Sequence, residues 1–404
     1  MYNIVLPEDV NFLMEKLKSH GYRADIVGGC VRDFLLGGKP SDYDITTSAT
    51  PDKIKEVFSE LRTVDTGIKH GTVTVILNGT PYEITTYRID GEYLDNRHPK
   101  SVIYSSRIEE DLSRRDFTMN AIAYNRYDGL TDLFCGVDDI KNGIIRTVGE
   151  ADRRFSEDAL RILRAIRFSS VLGFEIEEKT AASARKNRSL LENVSKERIY
   201  SEWQKLIGGK SAFSVIEKYI DIINVFLPGI KGIPVITESA FLSLSPQERF
   251  AVLFLTADTE PSEASRTAMK SLKADTKSID FISSVLECTS RIKCNNNTSE
   301  EVVFVNLLLY EYGYEVTRSA LKISVAFGEA ETELAEILEG LIERGSPYRI
   351  SDLKIRGDDL ARLGFSGKEI GERLEWLLLN VISGGIKNEK QQLIDFIKLY
   401  KTEK

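Results

Sequence analysis

Apolar residues mix strand-like and helical spacing in the first third of this chain and keep helical spacing thereafter, and that change limits what it can fold into. Up to about residue 145, β-branched or aromatic runs alternate with turns. Residues 25–27 lead into Gly28-Gly29, and residues 72–77 and 82–87 flank Asn78-Gly79-Thr80-Pro81, a hairpin signal. Among them, residues 7–20 and 51–61 have helical spacing. From Glu157 onward the pattern is amphipathic helix. Ser156 is placed to cap a helix whose first turn carries Glu157 and Asp158, followed by Leu160, Ile162, Leu163, Ile166 and Phe168. Ser245-Pro246-Gln247-Glu248 combines a capping box with proline at the first helical position. Asn295-Asn296-Asn297 reads as a loop, with Thr298 and Glu301 as a second capping box. Ser366 is expected to cap the last pair of helices, which carry Leu374, Leu377, Leu378 and Val381 and stop at Gly384-Gly385. The expected fold class is an α+β head followed by an all-helical remainder. At 404 residues the chain is too long for one ordinary core, so two to four domains are expected in series.

Charge sharpens the picture. With 54 basic and 62 acidic residues the formal net charge is −8, which taken alone discourages a nucleic-acid partner. Its distribution is uneven: residues 151–200 hold 11 Lys/Arg against 8 Asp/Glu, whereas residues 301–350 hold 4 against 9. The first ten residues carry no basic n-region and no apolar core, and no stretch nears about 18 uninterrupted apolar residues, so neither an export signal nor a membrane span is expected. Cys30, Cys135, Cys288 and Cys294 form no CxxC pair and are too sparse for a disulfide scaffold, which suits a reduced cytoplasm. His20, His70 and His98 are isolated, which argues against a histidine-built metal hydrolase.

The sharpest local signal is Gly28-Gly29-Cys30-Val31-Arg32-Asp33, then Gly37-Gly38, then Asp42-Tyr43-Asp44. Glycines after a strand let backbone amides approach a phosphate, a helix start adds its positive dipole end, and Arg32 can pair with the same phosphates. On a strand, Asp42 and Asp44 would point to one face. Two carboxylates on one face repel unless a cation sits between them, and hard oxygen donors suit Mg²⁺. Alone, a Gly-Gly is usually a turn and an Asp-x-Asp a solvated loop; their combination with Arg32-Asp33 points to phosphate chemistry.

The segment from Gly28 to Pro51 resembles the first motif of the class II tRNA nucleotidyltransferases, the CCA-adding enzymes and their bacterial poly(A) polymerase relatives in the DNA polymerase β-like superfamily. Further blocks similar to that family follow in order: Arg114-Arg115-Asp116-Phe117-Thr118 with Asn120, Glu157-Asp158-Ala159-Leu160-Arg161 continuing to Arg164 and Arg167, and Glu197-Arg198-Ile199. The likeness is strong over about the first 205 residues. The tail, with residues 357–360 and 364–371, is similar but less specific.

The resemblance implies a nucleotidyltransferase head over residues 1–145, a helical neck over 146–206 that recognises the nucleotide base, a helical body over 207–297 and a helical tail over 298–404 that binds tRNA. It implies catalytic Asp42, Asp44 and Glu83, with Asp42 and Asp44 as metal ligands, and nucleotide binding by Gly29, Arg32, Arg115, Asp116, Asp158, Arg161, Arg164 and Arg167. Glu83 otherwise reads as an exposed strand residue. Arg115 is expected near the nucleotide and Asp116 near the ribose 2′-hydroxyl; the plainer reading is a surface ion pair. Arg164 and Arg167 wind around their helix, so triphosphate, the tRNA end or plain surface charge are all open to them.

Asp158 and Arg161 stand three apart, so the plain reading is an intrahelical ion pair. As a protein template they would do more. A carboxylate accepts and a guanidinium donates, which matches the amino donor beside a ring-nitrogen acceptor in cytosine and adenine; uracil and guanine present the reverse order. The turn-rich residues 90–99 read either as a surface loop or, by the resemblance, as the segment needed to switch from adding C to adding A. The expected activity is addition of C, C and A to the tRNA 3′ end and acceptor arm from CTP and ATP with release of pyrophosphate, by a monomer or homodimer. A poly(A) polymerase or A-only enzyme is the alternative, weakened by a final 54 residues holding only 10 basic against 9 acidic. An inactive RNA-binding protein is a third reading.

Overall fold

The computed structural model describes residues 4–65, 67–91, 102–294 and 301–399. Residues 92–99 of the expected switching loop, and 295–298 with the second expected capping box, lie outside the described residues. The chain divides into two compact units, Met1–Pro228 and Gly229–Lys404.

The first unit opens with helix α1 (Glu8–Ser19), which buries Val10, Leu13, Met14 and Leu17, and continues through β1 (Ala24–Val27), α2 (Gly29–Leu35), β2 (Ile45–Thr47), α3 (Pro51–Val57), β3 (Arg62–Val64), β4 (Thr72–Leu77) and β5 (Thr80–Thr86). A small ribbon, β6 (Arg88–Asp90) with β7 (Val102–Tyr104), precedes α4 (Ile108–Ser113), β8 (Ile122–Asn125), β9 (Gly129–Asp132), α5 (Gly136–Asn142) and β10 (Ile144–Ile145). Seven strands form one sheet in the order β3-β4-β5-β2-β1-β8-β9. Only β2 and β5 run parallel, Ile45 opposite Ile84; the other pairs are antiparallel. The hairpin turn is tighter than expected. Leu77 pairs with Thr80, leaving Asn78 and Gly79 at φ 52° and 81°, while Pro81 joins the strand beyond the end of β2, where its missing N–H costs no ladder bond.

Helical structure then takes over: α6 (Ala151–Glu157), α7 (Leu160–Leu172), α8 (Glu178–Lys186), α9 (Lys196–Ile207), α10 (Ala212–Lys218) and α11 (Ile220–Ile223). Among the described residues the expected all-helical remainder has one exception, β11 (Glu175–Ile176), which lies parallel to β10. Ser156 is not a cap. It lies inside α6 and donates to the Arg153 carbonyl, because the chain is already helical from Ala151, a start the mostly polar run Ala-Asp-Arg-Arg conceals. The break falls at Asp158, with φ −138° and ψ 103°, and the Asp158 side chain accepts from the Leu160 amide at 3.1 Å, so Asp158 itself opens α7.

The second unit contains α12 (Glu238–Ser243), α13 (Pro246–Leu253), α14 (Pro261–Ser271), α15 (Thr276–Cys294), α16 (Glu301–Tyr312), α17 (Tyr314–Ala326), α18 (Thr332–Glu343), α19 (Gly357–Arg362), α20 (Lys368–Ile382) and α21 (Lys390–Leu399). The Ser245 capping box forms as read. Ser366 does not cap α20; Gly367 does, at φ 55° and ψ −129°, a backbone that favours glycine over serine. Gly384, at φ 77°, ends α20 with the Gly385 amide donating to the Asn380 carbonyl. A core of Leu353, Ile355, Leu360, Leu377, Leu378, Leu393 and Ile397 unites the last three helices.

Candidate active site

Strand register assembles the acidic half of the site. Ile45 and Ile84 are fully buried partners on parallel strands, so one step back along each sets Asp44 beside Glu83 on the opposite, open face. Asp42 lies two residues earlier, and both aspartates precede β2 rather than standing on it as expected, although the Val27 amide donating to the Asp44 carbonyl carries the ladder that far. Crowding by protein atoms pushes the Asp44 carboxyl above its ordinary value; Arg115 opposes this, and the like charges of Asp42 and Glu83 add to it. The residue still keeps more than a third of its surface open, so its carboxylate is crowded at a mouth rather than sealed from water. Among the described residues neither Asp44 nor Glu83 has an ion-pair or side-chain hydrogen-bond partner, and Asp42 only accepts from the Ser41 hydroxyl at 3.1 Å. Also among them, no three His, Cys, Asp or Glu side chains make a metal cage. Uncompensated hard-oxygen donors without a cage fit a cation that is held by one or two carboxylates and completes its shell with water and substrate phosphate.

The basic half comes from three separate stretches. Arg115 follows α4 and donates to Asp111 at 3.0 Å, as Arg114 does at 2.7 Å. Asp111 is fully buried. Burial alone would raise its carboxyl, but the Arg115 and Arg114 guanidiniums hold it below the ordinary value. Arg115 Nη1 also presses on the glycine turn, 3.0 Å from where a Cβ on Gly28 would sit, and Gly28 has φ 79°. Its Nε is buried without a partner. Gly29 begins α2, and Arg32 in that helix donates to Asp33 and, at 2.9 Å, to the Asn120 side-chain oxygen.

Asn120 in turn donates to Asp116 at 3.1 Å. Asp116 also accepts from the Phe117 amide at 2.8 Å and from Arg164 Nε and Nη2 at 2.9 and 2.6 Å, which fills its acceptor capacity. Burial opposes ionisation of Asp116, but Arg164 and Asn120 outweigh it and hold the carboxyl down to about 2. Arg167 donates to Glu202 of α9 at 2.9 Å. The surface ion pair that adjacency suggested for Arg115 and Asp116 does not form; each has a different partner.

Nor do Asp158 and Arg161 pair. Because α6 ends at Glu157 and the Asp158 side chain turns to cap α7, the carboxylate faces away from Arg161 and its second oxygen accepts from Arg198 Nη2 at 3.0 Å. Arg161 is turned back along α6, donating to Glu157 at 2.9 Å, to the Arg154 carbonyl at 3.1 Å and to the Arg114 carbonyl at 2.9 Å. Arg198 Nη1 is buried with no partner. Reading the sequence assigned no part to Asp111, Asn120, Glu157, Arg198 or Glu202; the Glu197-Arg198-Ile199 block and the adjacency of Glu157 to Asp158 were the available signals.

A mixed sheet with carboxylates just before one of two parallel strands and within the other, a glycine turn and an arginine cluster defines a nucleotidyltransferase head. Residues 24–146 match the model of the poly A polymerase head domain, residues 173–231 the RNA- and SrmB-binding site of polymerase A, and residues 244–397 the tRNA nucleotidyltransferase domain 2. The CCA-adding enzyme of Ligilactobacillus salivarius is 37% identical over 97% of this chain and 96% of its own, and that of Geobacillus stearothermophilus 36% over 94% of each. The solved CCA-adding enzyme of Bacillus stearothermophilus in complex with CTP superposes with TM-score 0.82 at 32% identity, covering 99% of this chain and all of that one. The Thermotoga maritima CCA-adding enzyme complexed with tRNA-CCA superposes with TM-score 0.72 at 25% identity, covering 98% and 96%. This chain belongs to the CCA-adding enzyme family of tRNA nucleotidyltransferases.

Proposed function

We propose that this protein adds C, C and A to the 3′ end of tRNA without a nucleic-acid template, using CTP and ATP and releasing pyrophosphate. The observation that carries the reading is the set Asp42, Asp44 and Glu83, without ion-pair partners among the described residues, with the Arg115 guanidinium close enough to act on Asp44. Asp42 and Asp44 would hold Mg²⁺, with Glu83 beside them; when bound it supplies positive charge to the reacting phosphate and lowers the cost of ionising a hydroxyl. The 3′-hydroxyl of tRNA is the nucleophile, the α-phosphate is attacked in line, and no covalent enzyme intermediate is needed.

The chain's own residues bind and orient. Gly29, Arg32, Arg115, Arg164 and Arg167 receive the triphosphate. When Arg164 turns toward it, Asp116 loses its strongest donor and its free oxygen becomes available to the ribose 2′-hydroxyl, so sugar recognition follows triphosphate binding. Asp158 and Arg161 read the base: Asp158 is held ready by Arg198, whereas Arg161 must leave Glu157 to reach a base edge.

The head, neck, body and tail division over residues 1–145, 146–206, 207–297 and 298–404 is part of the same proposal. No helix among the described residues is long and apolar enough to cross a membrane. We place the reaction in the cytoplasm, where its tRNA and nucleotides are. The test is to incubate tRNA lacking its CCA end with each labelled nucleotide in turn and sequence the products. Ordered C, C, A is expected; long A tracts or single A additions would move the protein to the polymerase or A-only class.

A further inference from the structure

Phe168 reads in the sequence as one more apolar residue of an amphipathic helix. In the fold it sits among charges: the guanidinium carbons of Arg32, Arg164 and Arg167 lie 5.0, 5.4 and 3.6 Å from its ring centroid. Those arginines come from two elements, α2 and α7, and each has its own carboxylate: Asp33 for Arg32, Asp116 for Arg164 and Glu202 for Arg167. Three like charges around one ring repel; three carboxylates and the negative ring face offset that repulsion while the site is without nucleotide. Phe168 is itself 3% exposed and fixed by Phe117, edge-on at 85° with centroids 5.8 Å apart. Phe117 directly follows Asp116 and Phe168 directly follows Arg167, so the aromatic pair ties the Asp116 segment to the arginine helix.

We infer that Phe168 is a positioning residue for the triphosphate: its ring is the shared platform that holds Arg32, Arg164 and Arg167 convergent, so that a phosphate chain draws them from their carboxylates without first gathering them. This rests on the nucleotidyltransferase reading above. Removing the aromatic face while keeping an apolar side chain should weaken nucleotide binding for CTP and ATP alike, since the triphosphate is common to both. The hydroxyl's attack, which the ring does not touch, should be spared.

The experiment measures KM and kcat for CTP and ATP on tRNA acceptors, with inhibition by pyrophosphate as an independent reading of phosphate binding. The variants are Phe168→Met, Phe168→Leu and Phe168→Tyr, with Ile166→Val as a buried control on the same helix. Expected for Met and Leu is a KM raised about tenfold for both nucleotides, a pyrophosphate inhibition constant raised similarly and kcat within about twofold. Tyrosine, which keeps the ring, and the Ile166 control should stay within about twofold on all counts. The inference is overturned if Met or Leu keeps the wild-type KM, if tyrosine loses as much as methionine, or if Ile166→Val raises KM equally. Thermal melting of each variant identifies any that does not fold, and the tyrosine and pyrophosphate comparisons then decide. A wild-type protein that adds no nucleotide to tRNA would instead sink the functional reading itself.

Discussion

At the scale of single residues, the candidate site leaves some charges without an ion-pair partner and surrounds others with several donors. Asp44 and Glu83 have no cationic partner among the described residues, so their charge is available to a divalent cation. Replacing Asp42 or Asp44 with alanine should abolish incorporation of both CMP and AMP, a loss of at least about a thousandfold in a labelled-nucleotide assay. Near-normal turnover by either variant would remove these residues from the chemistry. Asp116 is the opposite case. Its folded-state pKa is depressed from 3.8 to about 2. A depressed carboxylate contributes stability that is complete above its unfolded pKa and is lost as pH falls toward the folded value. The contribution is about 2 kcal/mol. Asp116→Asn should therefore unfold more easily in urea at pH 7 by roughly that amount. The gap from wild type should hold down to about pH 4 and close below it. A gap that widened on acidification would contradict the assignment.

At the scale of elements, the decisive feature is the break between α6 and α7. Acidic and basic residues three apart predict an ion pair only if one helix runs through both. Here the helix stops, Asp158 caps the next one, and the two side chains diverge to Arg198 and Glu157. The parts of the candidate site that the sequence proposes and the fold gathers are those made by neighbours in sequence: the glycine turn, Asp42 with Asp44, and the motif arginines. What could not be read was pairing across 35 to 88 residues, such as Arg167 with Glu202 and Arg32 with Asn120, because nothing local distinguishes those partners from surface polar residues. Element types read well where the period was long, as in α1 and β4. Caps at Ser156 and Ser366 failed because a helix start is fixed by backbone angles that Asp158 and Gly367 adopt instead. The break makes a prediction that separates fold from selectivity. Asn can cap as Asp does but takes the carboxylate from Arg198, so Asp158→Asn should lose only that partly screened pair, whereas Asp158→Ala should lose the cap as well, about 1 kcal/mol more. Both should weaken discrimination of CTP and ATP from UTP and GTP, as should Arg161→Ala. Unchanged selectivity in all three would return the pair to a purely structural role.

At the scale of the whole molecule, the net charge of −8 is not spread evenly, and the imbalance bears on how RNA is held. Residues 229–404 carry 27 acidic against 22 basic side chains, but residues 301–350 alone hold 9 against 4, so the rest of that unit is neutral at 18 of each. Part of this excess lies on α18, where Glu333, Glu336 and Glu343 are exposed. Phosphate contacts dominate non-specific affinity, so an acidic surface facing away from the acceptor would limit loose RNA binding without touching the productive complex. Glu333→Gln with Glu336→Gln should therefore tighten binding to unrelated RNA and steepen its salt dependence, while the KM for tRNA lacking CCA stays within about twofold. Fluorescence anisotropy over a salt series, beside steady-state addition assays, reads both quantities. A tRNA crosslink centred on residues 332–343, or a large drop in KM for tRNA in the double variant, would place that helix against the substrate and reverse the argument.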